Sequence, residues 1–272
     1  MVFRYAICLK GIYKKYAILA TDYVFNDLEF VLTGENDKIR FNEGIAHFLE
    51  HKMFEQVDGS NAFEKFSRWG ASENAFTNFT MTAYLFSTTE NFYESLEHLI
   101  NYVQSPHFTD ENVDKEKGII EQKIKMYNAF NVYLNTLKVL YVNYPVRIDI
   151  AGTVDSIHKI TKEELYKCYN TFYIPGNMAL FVVGDLDFVK IMQSISKVND
   201  KSIISLTNKV EKIYPKEPKK VKEIILNYID KFKTYGISEE DFNRIKKKKI
   251  GNFLKCFDSV GFIANNFLSY KF

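Results

Sequence analysis

A chain of 272 residues is long enough for one large domain or two of ordinary size. It is 46% hydrophobic, 26% charged and 16% aromatic with a net charge of +2, so a globular protein with a ring-rich core or groove is expected, and nothing global points to nucleic acid or an anionic membrane. The three cysteines, Cys8, Cys168 and Cys256, form no CxxC pair, there is no signal-like start, and no apolar run nears the roughly 18 residues of a membrane span, which together predict a soluble cytoplasmic protein without a disulfide framework.

The chain opens with strands: "YAICL" and "YAILATDYVF" are short, apolar and aromatic, with a turn at Gly11 between them. Another strand and a polar loop occupy residues 28–44. A helix begins near Asn42, because Ile45, Phe48, Leu49 and Met53 recur at helical spacing. Residues 58–70 predict a second helix, with Ser60 as N-cap and Gly70 just past its end. Residues 73–89 alternate and are rich in Thr, Phe and Tyr, which predicts one or two strands. An amphipathic helix follows over 91–106, stopped by Pro106.

Thr109 caps a long helix that starts with acidic residues and is expected to continue toward Leu140. Thr161 and Glu164 form a capping-box pattern for a helix over 160–173. "NMALFVVGDLD" predicts a buried strand ending at Gly184. The mixed order predicts an α+β fold, an antiparallel sheet with helices packed on one face. A polar, Pro- and Lys-containing break at 214–223 then divides a main domain, 1–213, from a helical segment, 214–272. That segment has little core of its own, so it docks on the main domain, docks on a partner, or stays loose.

"GIAHFLEHKMF" carries two of the five histidines, His47 and His51, four residues apart on the predicted helix. At about 100° per residue both imidazoles point to one side and can reach one ion. Glu50 lies beside them, within reach of a water on that ion, the place of a general base in metal-assisted hydrolysis. H-x-x-E-H is the inverzincin pattern. A chance pair on a helix surface is the bland alternative. The remaining histidines, His98, His107 and His158, sit in ordinary helix or loop contexts, and Cys168 on its amphipathic helix is a core residue. The basic run "RIKKKKIG" has no stacking aromatic or recognised module beside it, so it is taken as a solvated helix face.

The stretches "GIAHFLEHKMF", "GASENAFTNFT", "EKGIIEQKIKMY", "YPVRIDIAGTVDSIHKIT" and "FYIPGNMALFVVGDLD" together resemble the M16 metallopeptidases (insulinase, pitrilysin and mitochondrial processing peptidase), in particular a bacterial branch of half-length subunits. The resemblance implies that His47 and His51 are zinc ligands and that Glu50 activates the zinc-bound water. It implies that Glu116 supports the site from behind the ligands. Asn74, Ala75, Phe76 and Thr77 are implied to form an edge strand that takes a peptide in extended conformation as an added β-strand. A second M16-like subunit is an implied partner.

Two departures stand against that pattern. The family places a Glu as third ligand where this chain has Lys123, whose ammonium has no lone pair; losing its proton at pH 7 costs roughly 4–5 kcal/mol. Zinc is therefore expected to be weakly bound or absent. Glu121, about 200° round the helix from Lys123, faces away and offers no replacement. Residues 214–272 also resemble only the helical remnant of the family's second domain, without the Arg/Tyr pair expected to hold a substrate carbonyl. Two functions compete: a zinc peptidase acting on unfolded or short peptides, and a catalytically inactive partner subunit or gene remnant that binds peptide without cleaving it. Lys123 and the lost pair favour the second.

Overall fold

The computed structural model describes residues 3–8, 11, 13–32, 36–127, 132–141, 143–198, 210–212, 230, 236, 239–256, 261, 262 and 264. The central element is β2 (Lys15–Thr21), buried over six of its seven residues. It pairs antiparallel with β6 (Thr82–Thr88) on one side and β7 (Met178–Gly184) on the other. A strand covered on both faces reads as a continuous apolar run rather than an alternation, which is what "YAILAT" and "MALFVVG" show.

β5 (Ser72–Thr77) pairs antiparallel with β6, and β1 (Phe3–Cys8) pairs parallel with β7, giving the order β1-β7-β2-β6-β5. The two opening strands are therefore not neighbours, because β7 lies between them. The sheet is antiparallel except at the β1 edge, and β5 forms its opposite edge. A small second sheet joins β3 (Glu29–Leu32) to β4 (Lys38–Arg40) and to β8 (Val210–Lys212).

Side chains alternate across the central sheet. Ala17, Leu19, Tyr84, Phe86, Leu180 and Val182 face a large core shared with helices α1 (Ile45–Lys52), α2 (Ala62–Arg68) and α3 (Phe92–Val103). Tyr16, Ile18, Ala20, Ala83, Phe181 and Val183 face a second, smaller cluster. Ala264 is fully buried in that second cluster, so this residue of the C-terminal segment packs against the sheet. Of the helical segment expected over 214–272, the structure describes a helix at Glu239–Cys256; "VKEIILNYIDKFKTYG" lies almost wholly outside the described residues.

Helices α4 (Asp110–Tyr127) and α5 (Val132–Leu140) occupy the predicted long-helix region, with residues 128–131 between them outside the description. Next come α6 (Val154–Lys159), α7 (Lys162–Phe172) and α8 (Phe188–Val198). Two expected caps differ. Asn61, not Ser60, caps α2, its side chain accepting from the Phe63 N–H; the Ser60 hydroxyl donates to Asp58 instead. Thr161 caps α7 by accepting from the Glu164 N–H, but the Glu164 carboxylate accepts from the backbone and side-chain nitrogens of Asn42. A capping box does form at the start of α6, between Thr153 and Ser156.

Candidate metal centre

The entry to α1 fixes the centre. Gly44 stands at its N-cap with φ 86°, and a Cβ there would lie 2.6 Å from the Ala151 carbonyl oxygen. Gly152, φ 75°, meets Glu43 reciprocally: a Cβ would lie 2.6 Å from the Glu43 carbonyl oxygen. Only glycine permits both the left-handed backbone and the close approach. The Glu164 carboxylate, 2.9 Å from the Asn42 nitrogen, ties the same turn to α7. Beyond it, Ile45, Phe48 and Leu49 are fully buried, so the apolar stripe sets the rotation of α1 and leaves His47 and His51 together on another face.

The two imidazole centroids are 4.6 Å apart at an interplanar angle of 64°. His51 Nδ1 is 2.8 Å from Glu116 Oε1 on α4. With Nδ1 held by the carboxylate, Nε2 is the nitrogen left to accept a metal or proton. Burial opposes a charge on Glu116, but the hydrogen bond to His51 and the charges of His51, Lys52 and Lys123 together hold its carboxyl below the usual range. His47 Nδ1 is buried and has no hydrogen-bond partner among the described residues. Burial, then the charges of His51 and Lys123, lower its pKa to about 3, so it is neutral at physiological pH, the form that can ligate.

Glu50 is 5% exposed. Thr77, at the end of β5, donates its hydroxyl to Glu50 Oε2 at 2.6 Å. Burial raises the Glu50 pKa, while that hydrogen bond and the charges of His51 and Lys123 oppose the rise. A carboxyl poised in this way can take a proton from a water beside the histidines. Thr77 thus joins the edge strand to the centre. Along β5, Asn74 is exposed, Ala75 and Phe76 are partly covered, and Thr77 is buried.

Lys123 is exposed on α4, and no carboxylate among the described residues lies within ion-pair distance of its ammonium. Glu121 faces elsewhere, bound to Lys125 at 2.5 Å and His158 at 2.9 Å. His98 is a core histidine, its Nε2 2.7 Å from the Ala62 carbonyl oxygen. Cys168 is fully buried and burial raises its thiol pKa. Lys52, by contrast, has no signal in the sequence: it is 1% exposed, its ammonium paired with Glu55, and its charge acts on Glu116.

A catalytic zinc takes three protein ligands and keeps a fourth position open. No group of three His, Cys, Asp or Glu side chains able to hold a metal ion occurs among the described residues. The donor set among the described residues is two imidazoles, one ligand short. These residues do not fit a catalytic zinc as they are.

The sequence profile of the insulinase family (Peptidase family M16) matches residues 30–153, and that of the Peptidase M16 inactive domain matches 159–205. The crystal structure of an M16-like peptidase from Alicyclobacillus acidocaldarius superimposes with a TM-score of 0.86 at 30% identity, over 97% of this chain and 84% of that one. This chain belongs to the insulinase (M16) peptidase family. An uncharacterised zinc protease of Bacillus subtilis, YmfH, is 46% identical over 230 residues, 82% of this chain and 54% of that protein. The zinc protease PqqE of Helicobacter pylori is 28% identical over 196 residues. A protease from Helicobacter pylori, 16% identical with a TM-score of 0.74, shares the fold. The chain spans about half the length of the curated relatives it matches. Zinc peptidase chemistry is thus the family's property. Among the described residues no helix is long and apolar enough to cross a membrane.

Proposed function

We propose that this chain is an M16 homologue that binds extended peptides along β5 and does not cleave them on its own. The observation that carries this reading is Lys123: an exposed ammonium stands where the family's third zinc ligand is expected, and no third donor replaces it among the described residues. The sheet edge offered by β5, joined to Glu50 through Thr77, supports peptide binding by strand addition. In this reading His47 and His51 are the two ligands that remain of a zinc site. Glu50 is the residue that would have served as base, Glu116 orients His51, and Asn74, Ala75, Phe76 and Thr77 line the peptide. Residues 1–213 form the binding domain, and 214–272 a linker and a helical remnant of a second M16-like domain. A second M16-like subunit carrying an intact donor set is the partner this arrangement calls for, in the cytoplasm.

A zinc peptidase is the second reading. It is favoured by a centre that is otherwise in order: a neutral His47 with an unpartnered nitrogen, His51 held by Glu116, and a buried Glu50. The two readings separate on a quenched-fluorescent unfolded peptide. The purified chain is expected to bind it, with amides of Ser72–Thr77 gaining protection from hydrogen exchange, and to leave it intact. Cleavage that disappears in Glu50→Gln would establish the peptidase instead.

A further inference from the structure

The same substitution that removes a zinc donor supplies a charge. Lys123 lies seven residues after Glu116 on α4, nearly in line with it, and Glu116 Oε1 is 2.8 Å from His51 Nδ1, so Lys123 stands on the face of α4 that meets the centre; its charge bears on His47, Glu50 and Glu116. The nearby carboxylates are already engaged: Glu116 with His51, Glu50 with Thr77, and Glu121 on the far side with Lys125 and His158. Lys52, the other cation near Glu116, is paired with Glu55. Lys123 is the cation of the centre without an ion-pair partner among the described residues. The buried His47 Nδ1, without a hydrogen-bond partner among the described residues, is a second polar group of the centre. On the same helix, Ile119 and Met126, four residues before Lys123 and three after, are 40% and 79% exposed and flank it with apolar surface.

We infer that Lys123 turns the centre into a carboxylate-binding subsite, selecting extended peptides that present an acidic group beside β5. This rests on the reading of β5 as the peptide ledge and names the class of peptide it takes. A carboxylate gains a charge-assisted hydrogen bond from a lysine ammonium, and that bond strengthens as the arriving peptide displaces water. The apolar surfaces of Ile119 and Met126 cover the stem of the contact. The carboxylate can be the peptide's C-terminus or an Asp or Glu side chain. Both present the same group to the ammonium.

The test uses the full chain, metal-stripped, and a fluorescein-labelled decapeptide of alternating Val and Thr in three forms. One has a C-terminal amide and a central Gln, one a free C-terminal carboxylate and a central Gln, and one a C-terminal amide and a central Glu. Fluorescence anisotropy is expected to show at least one acidic form binding roughly tenfold more tightly than the neutral form, the size of one charge-assisted contact. Whichever acidic form gains identifies the source of the carboxylate. Lys123→Met should abolish the difference between the acidic and neutral forms; because Lys123 is exposed, the variant is expected to fold. Equal binding of all three forms, or a preference that survives Lys123→Met, would overturn the subsite while leaving the β5 reading in place. Failure of every form to bind would overturn both.

Discussion

His47, half-buried with its Nδ1 shut off from solvent, couples the centre to pH. Its folded pKa of about 3 lies below its ordinary 6.5. The unfolded chain therefore binds a proton that the folded chain refuses. The stability His47 allows is fully present above pH 6.5 and is lost as pH falls from 6.5 toward 3. Glu50, with its pKa raised by burial, works the other way just above its ordinary 4.5, where folded protein binds the extra proton. The His47 contribution is isolated by difference. Urea unfolding across pH 3–7 should show wild type losing up to a few kcal/mol more than His47→Gln. Parallel curves would remove burial as the cause. Thr77 is the second telling residue. Thr77→Val leaves a buried Glu50 oxygen without its 2.6 Å donor and should cost about 1–3 kcal/mol in urea unfolding.

The centre is held by helix entry as much as by helix packing. Gly44 and Gly152 cross with no room for a Cβ, so Gly44→Ala should cost roughly 1–3 kcal/mol for the left-handed backbone alone, with more from the clash. Thermal unfolding checks this; an unchanged midpoint would mean that the loop at 151–152 yields. Much at this scale could be read from the sequence. The stripe of Ile45, Phe48, Leu49 and Met53 gave α1 its buried face, and the spacing of His47, Glu50 and His51 brought them together. What escaped depended on partners far along the chain. Glu164 left its own capping box for Asn42, 122 residues away. β1 and β2 look like neighbours until β7, from the other end of the domain, enters between them. Burial of Lys52 leaves no mark on a pattern of residue types: its partner Glu55 is only three residues on, but the proximity of Glu116 is made by α1 and α4 meeting.

The whole molecule has the M16 fold. The sheet is covered on both faces, and the C-terminal segment contributes Ala264 to the second cluster. Ala264→Asp places an unpaired charge in that cluster and should lower stability by several kcal/mol, read by urea unfolding; no loss would show that the segment does not hold the sheet. The core of α1, α3 and the central strands does not include Lys123, which is exposed, so a substitution there is expected to leave the fold intact. In the proposed reading one side chain, Lys123, leaves the zinc site incomplete. Zinc content separates the possibilities when wild type and Lys123→Glu are both metal-stripped and returned to limiting zinc. Zinc near one equivalent is expected in Lys123→Glu and far below that in the wild type. Equal, stoichiometric zinc in both would contradict that reading.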